Sequence, residues 1–275
     1  MSVDEGKLIY VIADYGDLHD LAFAEVTQKL CMETEDLNPR IRCYSVPPFD
    51  TYATGFVLGQ LALNSTLGSK QKFFVNTAPR KDDLTPRVNN AGEGFAYIKL
   101  YNGIELCVVN SGYSISFIKK AAEEIKLINC NTDGSQFRSR DIFPKAFAKI
   151  FQGDYSELGE DIRDAVPDMP EKVICYTDGY GNMKVSIDPE IIRQNMGAEV
   201  VLSINGRKRV AKITEGIFGV SDGQLCLAPG SSGWSEKDGS KTLFSEVVLR
   251  GGSAAKEFGK PPGGIKIEWN ISGTK

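Results

Sequence analysis

Histidine is nearly absent from this chain of 275 residues, in which His19 is the only one. This scarcity excludes most metal sites built on histidine. It also requires any serine or cysteine nucleophile with a histidine base to use this single side chain. The glycine-rich motifs G-x-G-x-x-G and G-x-x-x-x-G-K-[ST] are absent as well. The chain therefore has neither a dinucleotide-binding fingerprint nor a P-loop.

A basic stripe and a long apolar run are also missing. The 32 basic and 36 acidic residues are interspersed and give a formal charge of −4, which argues against nucleic acid as a partner. No window approaches the roughly 18 consecutive apolar residues of a membrane span, and the first residues lack the pattern of a secretory signal. The sequence therefore predicts a cytoplasmic protein with no membrane partner.

The cysteines form no C-x-x-C pair, and most lie in apolar runs typical of strands. Such cysteines are more often buried reduced thiols than disulfides or zinc ligands, and we interpret them as such. The six are Cys31, Cys43, Cys107, Cys130, Cys175 and Cys226.

The first part of the chain alternates strand-like and helix-like patterns. The β-branched run "LIYVIAD" (8–14) predicts a strand, and apolar residues at helical spacing follow it. A further helix is predicted at "SISFIKKAAEEI" (114–125). This alternation predicts a layered α/β domain over residues 1–167, with a mixed or mostly parallel sheet.

The second part changes character. Short strand-like runs recur with glycine and asparagine turns, which predicts a smaller all-β, barrel-like domain over residues 173–275. The boundary is expected near Pro167 to Pro170. The polar stretch "SGWSEKDGSKT" (232–242) is predicted to be a mobile loop.

A first candidate site follows the first predicted strand, where Asp14 opens the turn "DYGDLHD". Ligands of α/β sheets gather at the carboxyl ends of strands, and a carboxylate there can accept both hydroxyls of a ribose. Asp17 and Asp20 could equally cap the next helix. For His19, a capping or solvent-exposed role is the more common one.

Two further stretches are candidate sites because of their composition. In "SQFRSRDIF" (135–143), charged residues arrive just before a helix-like run, and helix capping by Asp141 with paired arginines would explain them. In 178–182 the sequence Asp-Gly-Tyr-Gly-Asn separates two strand-like runs. That turn is either a hairpin needing no ligand or the aromatic wall of a binding site.

Taken in order, these motifs resemble the S-adenosylmethionine (SAM) hydroxide adenosyltransferases, which share a fold with the SAM-dependent fluorinases and chlorinases. The resemblance runs from about residue 8 to residue 268. The motifs that carry it are Asp14-Tyr15-Gly16, Phe49-Asp50, Val109-Asn110-Ser111-Gly112, Phe137-Arg138-Ser139-Arg140-Asp141, Asp178-Gly179-Tyr180-Gly181-Asn182, Ser231-Ser232-Gly233 and Gly251-Gly252-Ser253-Ala254-Ala255.

The resemblance implies a pocket for the adenosyl group. Asp14 would hold the ribose hydroxyls, Phe49 would line the sugar pocket, and Asn110 would belong to a substrate-binding turn. The Asn182 carboxamide would read adenine, because it can both donate and accept a hydrogen bond. The aromatic and glycine residues around the adenine would be Tyr180, Phe218, Gly251 and Gly252.

The methionine end would be held by Asp178, Ser231 and Ser232. The resemblance also implies a homotrimer, with SAM between the amino-terminal domain of one subunit and the carboxy-terminal domain of the next. SAM is then the substrate, and no metal or cofactor is needed, because its sulfonium already makes methionine a good leaving group.

The implied reaction is displacement of methionine at the 5′ carbon by hydroxide or water. The residues expected at the nucleophile are Arg138, Ser139 and Thr77, but two of them depart from the family. Thr77-Ala78-Pro79 replaces an aspartate motif, Arg138 replaces a histidine, and Arg87 could supply the family's arginine. Halogenase-like chemistry, or binding of SAM or adenosine without turnover, therefore remains an alternative function.

Overall fold

The computed structural model describes residues 7–78, 92–131 and 135–271. The chain divides into two compact units, Met1–Asp168 and Met169–Lys275. The division lies within the range in which the sequence places the domain boundary.

Unit 1 is built on a seven-stranded mixed sheet with the spatial order β2-β1-β3-β5-β4-β6-β7. The first four strands in this order are parallel, whereas β4, β6 and β7 are joined by antiparallel pairings. The prediction of a mixed sheet agrees with this, and a mostly parallel sheet is supported only over that half. The strands are β1 (Leu8–Ala13), β2 (Arg40–Ser45), β3 (Gln71–Asn76), β4 (Phe95–Leu100), β5 (Glu105–Val109), β6 (Ala122–Ile128) and β7 (Leu158–Asp161).

The helices of unit 1 bury apolar faces. Helix α1 begins after Asp20, whose carboxylate accepts a hydrogen bond from the Ala22 N–H, and it buries Phe23, Val26 and Leu30. The capping alternative is therefore correct for Asp20. The helices are α1 (Leu21–Glu33), α2 (Thr51–Leu63), α3 (Arg138–Asp141) and α4 (Phe143–Gln152).

The helix predicted over 114–125 is wrong. The chain makes a series of tight turns there, with backbone bonds such as Ser114 N–H to Ser111 and Ile118 N–H to Ile115. It then enters β6, which pairs with β4. The spacing of the apolar residues fits a helix, but the ladder with β4 buries Ile125 completely and overrides that local preference.

Unit 2 holds a second seven-stranded sheet, in the order β14-β10-β11-β12-β13-β9-β8. The sheet curls, and the residues that directly precede its two outermost strands, Val173 before β8 and Lys266 before β14, form a bridge. The barrel-like prediction agrees with this curl. The strands are β8 (Ile174–Thr177), β9 (Met183–Val185), β10 (Glu199–Ile204), β11 (Arg207–Ile213), β12 (Leu225–Ser235), β13 (Lys241–Leu249) and β14 (Ile267–Ile271).

Unit 2 is not purely β, because two short helices contribute to its core. Helix α5 (Pro189–Arg193) buries Ile192, and α6 (Ala254–Glu257) buries Ala254 and Ala255. The loop predicted over 232–242 is confined to 236–240, because its two ends belong to β12 and β13. It is the tip of the β12–β13 hairpin, where the buried Trp234 donates a hydrogen bond of 3.0 Å from its indole N–H to Glu236.

The structure also bears on the predicted reduced cysteines and on the prediction that no segment spans a membrane. All six cysteines lie in the described residues and none forms a disulfide with another; Cys107, Cys175 and Cys226 are buried. Among the helices of the described residues, none has the length and apolar character needed to cross a membrane.

Candidate functional site

The carboxyl ends of β1, β2, β3 and β5 meet at one edge of the unit 1 sheet. The Asp14 N–H donates to the Asn76 carbonyl at 3.2 Å, and the Val46 N–H donates to the Ala13 carbonyl at 3.0 Å. Loops leaving different strands are therefore tied together where a parallel sheet places ligands. We call this the carboxyl edge, and it brings together several of the residues predicted from the sequence.

Phe49 is held in an uncommon conformation at this edge. Its φ is 65°, in the left-handed region that a bulky residue rarely adopts, and its ring is exposed. Its N–H donates to Oδ2 of Asp14 at 2.9 Å. The next residue, Asp50, caps α2 through the Ala53 N–H at 2.8 Å. Asp14 therefore fixes the turn that presents the Phe49 ring.

The turn after β5 is locked against the start of α2. The Asn110 N–H donates to the Gly94 carbonyl at 2.8 Å, and the Tyr113 N–H donates to the Thr51 hydroxyl at 3.1 Å. At Gly112, with φ of 46°, any Cβ would lie 2.6 Å from that hydroxyl. The close approach therefore requires glycine.

Thr77 lies at the same edge, but its side chain faces inward. It is fully buried, its hydroxyl is 2.7 Å from that of Thr54, and its carbonyl accepts a bond from Ser111. In this conformation Thr77 braces the loops that carry Thr54 and Ser111. Pro79 and Arg87 lie outside the described residues.

Arg138 and Ser139 begin the short helix α3 beside Tyr15. The Phe137 ring packs edge-on against the Tyr15 ring, with 5.9 Å between centroids. Ser139 is buried, and the Arg138 guanidinium lies against the backbone of Gly92. The structure therefore places this predicted pair next to the loop that follows β1.

The Tyr15 hydroxyl is buried and makes no hydrogen bond of acceptable geometry among the described residues. Burial raises its pKa, and the nearby Ser139 side chain offsets part of that rise. The Tyr15 phenol therefore stays protonated at physiological pH, as a hydrogen-bond donor.

Arg140 and Asp141 have a structural explanation. The Arg140 guanidinium binds the Asp141 carboxylate through two bonds of 2.7 and 3.0 Å, and it also reaches Glu25 at 3.1 Å. Hydrogen bonds from Arg140 and Ser135 lower the pKa of Asp141 to about 2. Asp141 ends α3, so the predicted cap at a helix start is wrong.

Asp17 and His19, in the turn after β1, form a local hydrogen bond. The Asp17 carboxylate accepts the His19 N–H at 2.7 Å, and both residues are exposed. The solvent-exposed alternative for His19 therefore holds. Within the described residues, no group of three or more His, Cys, Asp or Glu side chains could hold a metal ion.

In unit 2, the turn between β8 and β9 is organised by Asp178. Its Oδ1 accepts the N–H groups of Tyr180 and Asn182 at 2.9 and 3.0 Å, and its Oδ2 accepts the Asn182 side-chain amide at 3.1 Å. One donor of the carboxamide predicted to read adenine is thus already used. The hairpin alternative explains Asp178, and it leaves the Asn182 side-chain oxygen and a second N–H to a ligand.

Two aromatic side chains of unit 2 are unusually exposed. Tyr180 is 83% and Phe218 85% exposed within the chain. Arg250 lies over the Phe218 ring, 5.6 Å from its centroid. Because so little of either ring is buried, both contribute little to the core of unit 2.

The segment after β13 links these two aromatics. The Ala255 N–H donates to the Gly181 carbonyl at 2.9 Å in the turn that carries Tyr180. Gly251, with φ of 75°, leaves no room for a Cβ beside Asp222. Along the chain, the predicted residues Gly251 and Gly252 therefore lie between Arg250, which contacts Phe218, and Ala255, which contacts the Tyr180 turn.

Ser231 and Ser232 lie in β12, where the pairing with β13 shifts between Pro229 and Gly233. The Ser231 N–H, released from the regular ladder, donates to Oε1 of Glu246 at 3.3 Å. The bulge therefore turns this backbone donor toward a side chain.

Sequence reasoning missed Lys184 and Glu246, which join these elements. Lys184 Nζ lies 2.8 Å from Glu246 Oε1 and 3.5 Å from Asp178 Oδ2. The alternation of apolar and polar residues along β9 is the sequence pattern that could have indicated Lys184. Met183 and Val185 are buried in the core, so Lys184 must face the other side of the sheet.

Comparison with known proteins is limited to the fold. No protein-family model matches the chain, and no curated protein matches its sequence. The crystal structure of an uncharacterized conserved protein from Thermotoga maritima is similar, with a TM-score of 0.69 at 17% identity over 95% of this chain and 99% of that one.

A second similar structure is that of a conserved hypothetical protein from Thermus thermophilus. Its TM-score is 0.67 at 16% identity, over 96% of this chain and 100% of that one. At such identities the likeness shows the fold and says nothing about activity.

Proposed function

We propose that this protein binds SAM and displaces methionine from the 5′ carbon of its ribose with hydroxide or water, giving adenosine and methionine. The observation that carries the proposal is the pairing of Asp14 with Phe49 at the carboxyl edge. A carboxylate at a strand end and an exposed aromatic ring held at φ of 65° suit a ribose and its flanking groups. Strained backbone of this kind is concentrated at functional sites.

The proposed displacement requires the protein mainly to position the reacting groups. The sulfonium is a good leaving group, so the nucleophile must be placed in line with the 5′ carbon and its water removed. A guanidinium has hydrogen-bond donors and no acceptor, so Arg138 cannot act as a base, but it can hold an anionic nucleophile electrostatically. Ser139 beside it supplies a second donor.

Binding without turnover is the second candidate. Thr77, at the position of the family's aspartate motif, is buried against Thr54, and the only histidine is exposed in the Asp17 turn. Among the described residues, the carboxyl edge therefore lacks the aspartate and histidine with which the hydrolytic relatives orient water. Such a protein would sequester or sense an adenosyl compound.

Incubation of the pure protein with SAM, followed by chromatography, tests the proposal. Formation of adenosine and methionine in equal amounts supports it, and a 5′-chlorinated adenosine formed only with chloride would favour the halogenase-like alternative. Calorimetric binding of SAM with no product would favour the binding protein. Absence of both binding and product would reject every adenosyl function.

Assembly and compartment belong to the same proposal. We expect a homotrimer in the cytoplasm, with the exposed Tyr180 and Phe218 rings covered in the assembled, ligand-bound protein. Light scattering coupled to size exclusion would give three times the 30.1 kDa mass of the chain if this is right, and the single mass if it is wrong.

A further inference from the structure

The Asp178 carboxylate is saturated by its own surroundings. Each carboxylate offers about four acceptor positions. Oδ1 accepts two backbone N–H groups, and Oδ2 accepts the Asn182 amide and lies 3.5 Å from the Lys184 ammonium. An incoming ammonium group could bind Asp178 only by displacing part of the turn. The acceptor for the amino group of a ligand must therefore be sought elsewhere.

Glu246 is a carboxylate that can accept further hydrogen bonds. Lys184 and the Ser231 N–H both contact its Oε1, and Oε2 accepts no hydrogen bond from the described residues. Glu246 and Lys184 lie directly opposite each other on β13 and β9. The acceptor and the cation thus form one cross-strand pair.

Lys184 has donors left over in the same way. An ammonium group has three N–H donors, and two of them are accounted for by Glu246 and Asp178. The side chains of Lys184 and Glu246 are only 12% and 14% exposed. Partial burial strengthens their interaction with any charged group that enters.

A route of entry is provided by the bulge in β12. Ser231 is exposed at that bulge, and its N–H points to the pair. Lys184, Glu246 and the Ser231 N–H therefore present a cation, an anion and a backbone donor together, beside a solvent-accessible strand segment.

We propose that Lys184 and Glu246 form the receptor for the α-amino acid end of the ligand. The ligand's ammonium would bind Oε2 of Glu246, and its carboxylate would bind Lys184, with the Ser231 N–H as an additional donor. The inference rests on the proposed function for the identity of the ligand. Asp178 would position Lys184 and would not contact the ligand.

An ion pair that only stabilises the sheet would make a different prediction. A purely structural pair affects every ligand equally, through folding, whereas a receptor affects only ligands that carry the amino acid. SAM and 5′-methylthioadenosine differ in this respect, because the second lacks the amino acid end. The ratio of their dissociation constants therefore isolates the role of the pair.

The test is calorimetry of both compounds with the full chain, Lys184→Gln and the surface control Lys241→Gln. Lys184→Gln should weaken SAM binding at least about tenfold, since the ligand's carboxylate loses a partly buried partner. Binding of 5′-methylthioadenosine should stay within about twofold. Lys241→Gln, exposed at the start of β13, should change neither.

Equal losses for both compounds, or no loss for SAM, would overturn the proposed receptor. Thermal unfolding of each variant identifies a folding defect, and if Lys184→Gln fails to fold, Glu246→Gln replaces it with the same expectation. Tight binding of 5′-methylthioadenosine by the wild type, with no preference for SAM, would refute the receptor alone. Failure of the wild type to bind either compound would refute the proposed function, and the receptor with it.

Discussion

The amino and carboxyl edges of the unit 1 sheet differ in how well their polar and strained groups are satisfied. At the amino edge, the Glu105 carboxylate accepts hydrogen bonds from Lys72, Tyr97 and Tyr155. At the carboxyl edge, Phe49 is strained and the buried hydroxyl of Tyr15 makes no hydrogen bond among the described residues. One edge satisfies its polar groups internally, whereas the other keeps a residue in the left-handed region and a buried hydroxyl without a hydrogen bond.

The difference indicates where stability and binding reside. The side chains of Lys72 and Glu105 are 5% and 13% exposed, so each depends on the other for charge compensation. Burial raises the pKa of Glu105, but the bonds from Lys72, Tyr155 and Tyr97 outweigh it and lower that pKa. Substitutions at the amino edge should therefore change folding, and those at the carboxyl edge should change binding.

The largest effect is expected for Glu105→Ala. Removing the carboxylate leaves the Lys72 charge buried and unpaired, which should lower the free energy of unfolding by about 3 kcal/mol or more. Urea denaturation measures the change. Glu160→Ala, at an exposed position of β7, should cost less than about 0.5 kcal/mol. Equal effects of the two variants would contradict the comparison.

The same carboxylate predicts a pH dependence. Its folded pKa is lowered, so its contribution is fully present above the unfolded pKa of about 4.3 and is lost as the pH falls through the folded value. Stability of the wild type should therefore fall with acid more steeply than that of Glu105→Gln. Parallel curves of unfolding free energy against pH would exclude Glu105 as the cause.

The next effect concerns Arg138→Ala. If Arg138 holds the nucleophile, the rate of SAM cleavage should fall by one to three decades, about 1.4–4 kcal/mol of transition-state stabilisation. SAM affinity should hardly change, because the contact is made chiefly in the transition state. Arg40→Ala, exposed at the start of β2, is the control. Turnover at the parental rate would remove Arg138 from the site.

Restoring the aspartate and the histidine of the SAM hydroxide adenosyltransferases gives a gain-of-function version of this experiment. Ala78→Asp combined with Arg138→His should raise the rate of water attack, since it supplies a base and an orienting carboxylate. Product analysis by chromatography measures it. A variant that still binds SAM and forms no adenosine, from an inactive parent, would support the binding-protein alternative.

A smaller effect is expected for Asp14→Ala. Loss of the carboxylate should weaken binding of SAM or adenosine at least about tenfold, or about 1.4 kcal/mol. Asp14→Asn keeps an acceptor for the Phe49 N–H and separates the loss of charge from collapse of the turn. Asp17→Ala in the same loop should bind normally. Unchanged calorimetric affinity of Asp14→Ala would exclude a ribose contact.

The smallest effect tests the strain itself. Phe49→Gly should raise the free energy of unfolding by about 0.5–1 kcal/mol, because glycine adopts φ of 65° without a Cβ penalty. The same change should weaken SAM binding by a few-fold, since the ring is lost. Asn38→Gly, at φ of 44°, should change stability less. A loss of stability in Phe49→Gly would mean that its ring packs and is not strained.

Local signals were predicted well. The run 8–14 predicted β1 with Asp14 at its end, and the capping interpretation of Asp20 is confirmed by its bond to the Ala22 N–H. Such features depend on residues within one turn of each other, so the sequence contains all the physics they need. The roles proposed for Asp14, Phe49 and Arg138 remain predictions.

Features that depend on distant partners were missed. The segment 114–125 has helical spacing, but pairing with β4 converts its end to strand. The segment 232–242 is polar enough for a loop, yet pairing of β12 with β13 and burial of Trp234 make it a hairpin. In both cases pairing with another strand outweighs the local preference.

The sequence by itself determined the alternation of strands and helices, the change of character near residue 168, and the order of the glycine-rich turns. Only the tertiary structure decided which polar groups remain for a ligand. Asp178 reads from sequence as a free carboxylate, but the fold saturates it with Asn182 and Lys184 and leaves Glu246 with an open oxygen. The acceptor positions of a carboxylate are filled by neighbours on other strands, and those neighbours depend on which strands pair and in which register, so one turn read by itself does not reveal them.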